Sequence, residues 1–129
     1  MFVDASAIVS ILAVEADHGT LSARLEAASQ VHTSAVALYE ATLGLARATG
    51  LSVAEASSAV DRFVERTAIE ITAITAEIGR IAVDAFERYG RGRHPARLNM
   101  GDCFAYACAR SLGVPLLYKG DGFSQTDIA

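Results

Sequence analysis

The chain predicts an α/β fold of three layers, α/β/α, with a central, mostly parallel sheet. Three observations predict it. Short apolar segments alternate with longer stretches of helical periodicity along the chain. The composition is 52% hydrophobic and 20% charged, with 25 alanines and two prolines, which suits a packed, helix-rich globule and excludes a disordered or fibrous chain. The length of 129 residues fits one domain, read as 1–129, with no internal repeat, low-complexity tract or linker.

Taken in order, Phe2-Val3 is a short apolar strand and Asp4 opens a helix to about residue 13, so Asp4 falls at the strand's carboxyl end. A second helix spans about 17–28, with Leu21, Leu25 and Ala28 on one face, and 30–33 reads as a strand. Ser34 caps a helix over 35–49 that stops at Gly50, and Ser52 caps the next, to Arg66. The short connection makes these two an antiparallel hairpin. Residues 68–71 alternate like a strand, Thr75 caps a helix to Tyr89, and 90–98 is an irregular, arginine-rich segment. Helix resumes over 100–111, Gly113-Val114-Pro115 breaks it, 116–118 reads as a buried strand, and Lys119-Gly120-Asp121-Gly122 is a turn. Tyr39, Phe104 and Tyr106 are expected in the core, and His32 and His94 as packing or surface histidines.

Cys103 and Cys108 sit at a spacing that suits neither a disulfide nor a zinc site, and read as core thiols of a reducing compartment. No apolar run is long enough to cross a membrane, and the first residues lack a signal-peptide pattern, so the expected location is cytoplasmic, with no membrane partner. The net charge of −4 and pI near 5.3 make the surface as a whole a poor nucleic-acid binder. Positive charge gathers only at Arg88, Arg91, Arg93, His94 and Arg97; of these Arg91, Arg93 and Arg97 are expected to contact an RNA backbone.

Ligands of an open parallel sheet bind beyond the carboxyl ends of its strands. Asp4 follows the first strand, Glu40 lies in the second turn of the helix after Ser34, Asp102 opens the helix that feeds the last strand, and Asp121 follows that strand. Four acids from distant parts of the chain are thus expected to converge. Like charges so placed raise one another's pKa values, and a hard divalent cation, Mg²⁺ or Mn²⁺, relieves the conflict. Oxygen ligands without His or Cys point to phosphodiester chemistry. Ser6 is expected to orient a carboxylate or a metal-bound water. A phospho-acceptor receiver would also place an Asp after the first strand and a Lys after a late one, but Ile71-Thr72-Ala73 supplies no acceptor at the middle strand.

The segments Met1-Phe2-Val3-Asp4-Ala5-Ser6-Ala7, Ser34-Ala35-Val36-Ala37-Leu38-Tyr39-Glu40-Ala41, Leu98-Asn99-Met100-Gly101-Asp102-Cys103-Phe104-Ala105-Tyr106-Ala107 and Leu116-Leu117-Tyr118-Lys119-Gly120-Asp121-Gly122-Phe123, with Thr126-Asp127-Ile128, resemble PIN-domain ribonucleases, specifically VapC-like toxins. The resemblance covers the whole chain in order, and its most specific part is the block around Asp102. It implies cleavage of RNA with Mg²⁺ or Mn²⁺, a homodimer, and inhibition by a VapB-like antitoxin. By position, Asp4 and Asp102 resemble the principal metal ligands and Glu40 the third acid. The chain departs from the family's Lys-Gly-x-Asp-Phe tail, because Gly122 stands where the fourth acid is expected and Asp121 comes one residue early. Two readings follow: a metal-dependent endoribonuclease toxin with Asp121 as the fourth acid, or a catalytically weakened module that still binds RNA or antitoxin. The high apolar content suggests a covered surface, for which the helical hairpin over 35–66 is the expected place.

Overall fold

A four-stranded parallel sheet in the order β3-β2-β1-β4 organises the chain, formed by β1 (Phe2–Val3), β2 (His32–Ser34), β3 (Glu70–Thr72) and β4 (Leu116–Leu117). The computed structural model describes residues 1–128. Six helices join the strands: α1 (Ala5–Leu12), α2 (His18–Glu26), α3 (Ala35–Thr49), α4 (Val53–Arg66), α5 (Ala76–Tyr89) and α6 (Met100–Leu112). This is the predicted three-layer architecture. Strand order reverses at β1, which pairs with β2 on one side and β4 on the other, so a crevice is expected at its carboxyl end.

The two faces of the sheet can be read from the pleat. Phe2 and Leu116 are register partners and join the core under α5 and α6, with Ile78, Ala82, Cys108 and Phe123. Val3 and Leu117, one residue on, point the other way into a core under α1 to α4, with Ile8, Leu25, Leu45, Val60 and Phe63. Both faces are therefore covered, as strands this apolar require.

Most helix boundaries follow local chemistry. Ser34, Ser52 and Thr75 accept hydrogen bonds from the Ala37, Glu55 and Ile78 amides, and Ser52 with Glu55 forms a reciprocal capping box. Gly50 and Gly113 end α3 and α6 at φ of 74° and 67°, a left-handed turn that glycine adopts without a Cβ clash. The strand expected over 68–71 starts later because Ala68 takes φ 50°, and the Ile69 amide still closes the end of α4 on the Val64 carbonyl. The strand expected over 30–33 likewise shifts to His32–Ser34, in register with β3. Tyr39 is not core: the buried stripe of α3 is Ala37, Ala41 and Leu45, and Tyr39, off that stripe, is 66% exposed. Tyr106 and both cysteines are buried as expected, and burial pushes each thiol up to about 11, which leaves them unreactive.

Leu117 is fully buried on β4, in the core shared with α1 to α4. Leu117→Ala is expected to cost about 3 kcal/mol of unfolding free energy, read as a lower denaturant midpoint with unchanged slope.

Candidate functional site

β1 is two residues long, and its last hydrogen bond, from the Asp4 amide to the Leu117 carbonyl at 2.9 Å, sets Asp4 at the carboxyl edge. There Asp4 caps α1. Its Oδ2 accepts from the Ser6 amide at 3.0 Å and the Ser6 hydroxyl at 2.5 Å, so the buried carboxylate is held from one side. Ser6 Oγ accepts in turn from the Lys119 amide at 3.0 Å, tying the turn after β4 to the same carboxylate.

α6 begins with a second reciprocal box. Asn99 accepts from the Asp102 amide at 2.9 Å, and Asp102 Oδ2 accepts from the Asn99 amide at 2.9 Å. One carboxylate oxygen of Asp102 is thus committed to the helix end and the other has no such duty. Glu40 reaches the same place from α3, over Gly101. A Cβ at Gly101 would fall 1.8 Å from Glu40 Oε1, so only glycine lets this carboxylate lie against the first turn of α6. That position is also the positive end of the helix dipole.

Asp4, Glu40 and Asp102 line one crevice of about 340 Å³, with Ser6, Asn99, Glu15 and Lys119. A larger hollow, about 690 Å³, lies among α1, α2 and α4 beside the start of β2, with no comparable gathering of acids. The electrostatics single out the smaller one. Burial raises the Asp4 carboxyl, against the two Ser6 bonds, and Asp102 raises it further. Burial, then Asp4 and Asp102, push Glu40 up to about 7. Burial raises Asp102 as well, against the Asn99 amide and the nearby Arg91 charge. Three carboxyls are thus held in a place that penalises their charge, which is the condition a cation relieves.

The donor set fits a hard divalent ion: oxygens only, on an open crevice that leaves room for water and substrate. Among the described residues no three His, Cys, Asp or Glu side chains gather tightly enough to hold a metal ion by themselves, so such an ion would rest on fewer protein ligands and keep its waters. Asp4 and Asp102, each with one oxygen held by a structural bond, are the residues that could hold it.

The structure brings together three of the four expected acids. Asp121 is exposed and does not line the crevice. The turn swings it out: Gly120 takes φ 95°, and the Asp121 carbonyl accepts from Ser124 Oγ at 2.6 Å at the start of the 3-10 turn Phe123–Gln125. Gly122 adopts φ −59°, ordinary for any residue, and a Cβ there would meet the Ala96 carbonyl at 3.2 Å. Of the expected RNA contacts, Arg91 acts on Asp102, Arg93 lies over the Phe86 ring at 5.9 Å, and Arg97 is exposed at φ 54°. Sequence reasoning missed Glu15 and Lys119 as lining residues, and Asn99 as the partner of Asp102. The Asn99-x-x-Asp102 spacing is a legible capping signal; Glu15 has none.

The PIN domain family matches the chain over residues 1–129. Ribonuclease VapC42 of Mycobacterium tuberculosis is 40% identical, over 99% of this chain and 96% of its own. A VapC ribonuclease of Rhizobium meliloti is 39% identical, over 98% of both. The crystal structure of M. tuberculosis VapC20, described as a sarcin-ricin loop cleaving toxin, superposes with a TM-score of 0.78 at 23% identity, over 99% of this chain and 95% of that one, and shares the fold.

The crevice has a pH signature. Between its ordinary 4.5 and about 7, folded Glu40 keeps a proton that the unfolded chain has already released, so its contribution to stability is complete below that window and lost as pH rises through it. Raised Asp4 and Asp102 act in the same direction. Without divalent cations, the melting temperature is expected to fall across this window, and Glu40→Gln to flatten the fall, in circular dichroism melts at matched pH.

Proposed function

The chain belongs to the PIN-domain family, among the VapC ribonucleases, and on that premise we propose that it is a metal-dependent endoribonuclease, the toxin of a toxin-antitoxin pair, acting at the crevice of Asp4, Glu40 and Asp102. The observation that carries the reading is the meeting of these three carboxyls, from three separate elements, in one crevice that raises the pKa of each. Asp4 and Asp102 would hold Mg²⁺ or Mn²⁺. Such an ion, when bound, polarises a phosphodiester and lowers the pKa of a coordinated water.

The protein's own groups do the positioning. Ser6 holds Asp4 by one oxygen, and the Asn99 amide holds Asp102 by one, in two acids that line the crevice. Glu40, the third carboxyl of the crevice, would take a proton from an attacking water. Arg91, whose charge acts on Asp102, would hold an RNA phosphate beside the site, with Arg93 and Arg97 further along the same exposed segment. The weakened-module alternative rests on Gly122, and the crevice keeps three carboxylates whatever stands there.

Partner binding belongs to the same proposal. Tyr39, Val83, Phe86 and Met100 are large apolar side chains left exposed. They suit coverage by a second copy of the chain or by a VapB-like antitoxin. Among the described residues no helix is long and apolar enough to cross a membrane, and the proposed place of action is the cytoplasm.

Asp4→Asn is expected to abolish Mg²⁺-dependent cleavage while circular dichroism shows the fold intact; undiminished cleavage refutes the proposal. Ser6→Ala, which removes only the support of Asp4, is expected to lower the rate by about 10- to 100-fold. Gly122→Asp is expected to raise cleavage in a matched assay, since its backbone accepts a side chain and the Ala96 carbonyl need yield only a few tenths of an ångström.

A further inference from the structure

We propose that Lys119 and Glu15 form an exchangeable pair at the mouth of the acidic crevice, in which Lys119 contacts a backbone phosphate of the incoming RNA and Glu15 holds the lysine until that phosphate arrives. The inference rests on the ribonuclease reading above and adds to it a substrate contact and a competitor for that contact.

Lys119 is the one cation among the residues lining the crevice, where every other charged group is an acid. Its backbone is registered to the site by a short relay: the Lys119 amide donates to Ser6 Oγ at 3.0 Å, and Ser6 Oγ donates to Asp4 Oδ2 at 2.5 Å. Its ammonium pairs with Glu15 and lies 3.5 Å from Asp17. The two acids are not equivalent. Asp17 also accepts from the hydroxyl of fully buried Ser10, and that bond holds its carboxyl below the ordinary value. Glu15 has, among the described residues, no side-chain hydrogen-bond partner except Lys119.

Glu15 reaches the rim because the chain leaves α1 through Val14 at φ 55°, a left-handed conformation unusual for a β-branched residue. Val14 is 67% exposed, so no packing of its side chain compensates this conformation. The turn made at Val14 carries Glu15 to the lysine of the crevice. Both side chains of the pair are about a third exposed, so solvent screens their attraction and the pair contributes little to stability. Exchanging Glu15 for a phosphate, which a lysine binds as a point charge, therefore costs little. An RNA strand entering among carboxylates needs such a contact to offset their repulsion.

The test uses single-stranded RNA binding by fluorescence anisotropy, with Mg²⁺ present, in an Asp4→Asn background that keeps an oxygen for Ser6. Lys119→Met is expected to weaken binding several-fold and to reduce the slope of log affinity against log salt by about 0.7, the loss of one phosphate contact. Glu15→Gln is expected to strengthen binding several-fold with the slope unchanged, and the double variant to behave as Lys119→Met. If the two single variants lower affinity alike, with equal losses in melting temperature, or neither changes affinity, the pair is a structural clasp and the inference falls while cleavage by the native chain still supports the proposed function. No RNA binding in any form, with no cleavage by the native chain, overturns the proposed function and this inference together.

Discussion

The burial of one carboxylate, Asp4, is the constraint on which the arrangement depends. A charge in that position is tolerated only if it is hydrogen-bonded, and the Ser6 amide and hydroxyl both donate to its Oδ2 within the same turn of α1. That requirement propagates outward. The Ser6 hydroxyl, occupied as a donor, is free to accept from Lys119, so the turn after β4 is fixed by the same residue that satisfies Asp4. The Asp4 amide is in turn spent on Leu117, which closes β1 onto β4. Strand pairing, helix capping and acid placement are therefore one network, set where strand order reverses.

The other two acids are held against their own repulsion by different means. Asp102 is bound into the start of α6 by its reciprocal bonds with Asn99, so the helix cannot form its first turn as observed without placing the acid. Glu40 is held by space: the missing Cβ of Gly101 admits its carboxylate to the end of a helix where the dipole is positive. Hydrogen bonding secures two acids, and a steric allowance secures the third.

What was legible in the chain was what short-range chemistry decides. The caps at Ser34, Ser52 and Thr75 and the stops at Gly50 and Gly113 each depend on a few neighbouring residues. Parallel topology then carried Asp4, Glu40 and Asp102 to one edge. Tyr39 was misjudged because its neighbours are apolar, whereas its place on α3 is decided by the angle it makes with Ala37 and Ala41. Asp121 was assigned by edge, while its direction depends on the left-handed Gly120. Glu15 left no local trace, since only the unusual Val14 dihedral brings it to the crevice.

Asp4 caps α1 and Asp102 closes the capping box of α6, and at both positions asparagine keeps the accepting oxygen. Replacing one carboxylate oxygen by an amide nitrogen therefore removes the charge on which the proposed chemistry rests while leaving the helix ends an acceptor of the same shape. A lineage carrying such a chain can lose the activity in a single codon change without losing the folded surface. The disarmed protein would persist in the cell as a competitor for whatever its active ancestor bound, so inactivation by this route yields a decoy, whereas loss of the fold would yield no protein at all.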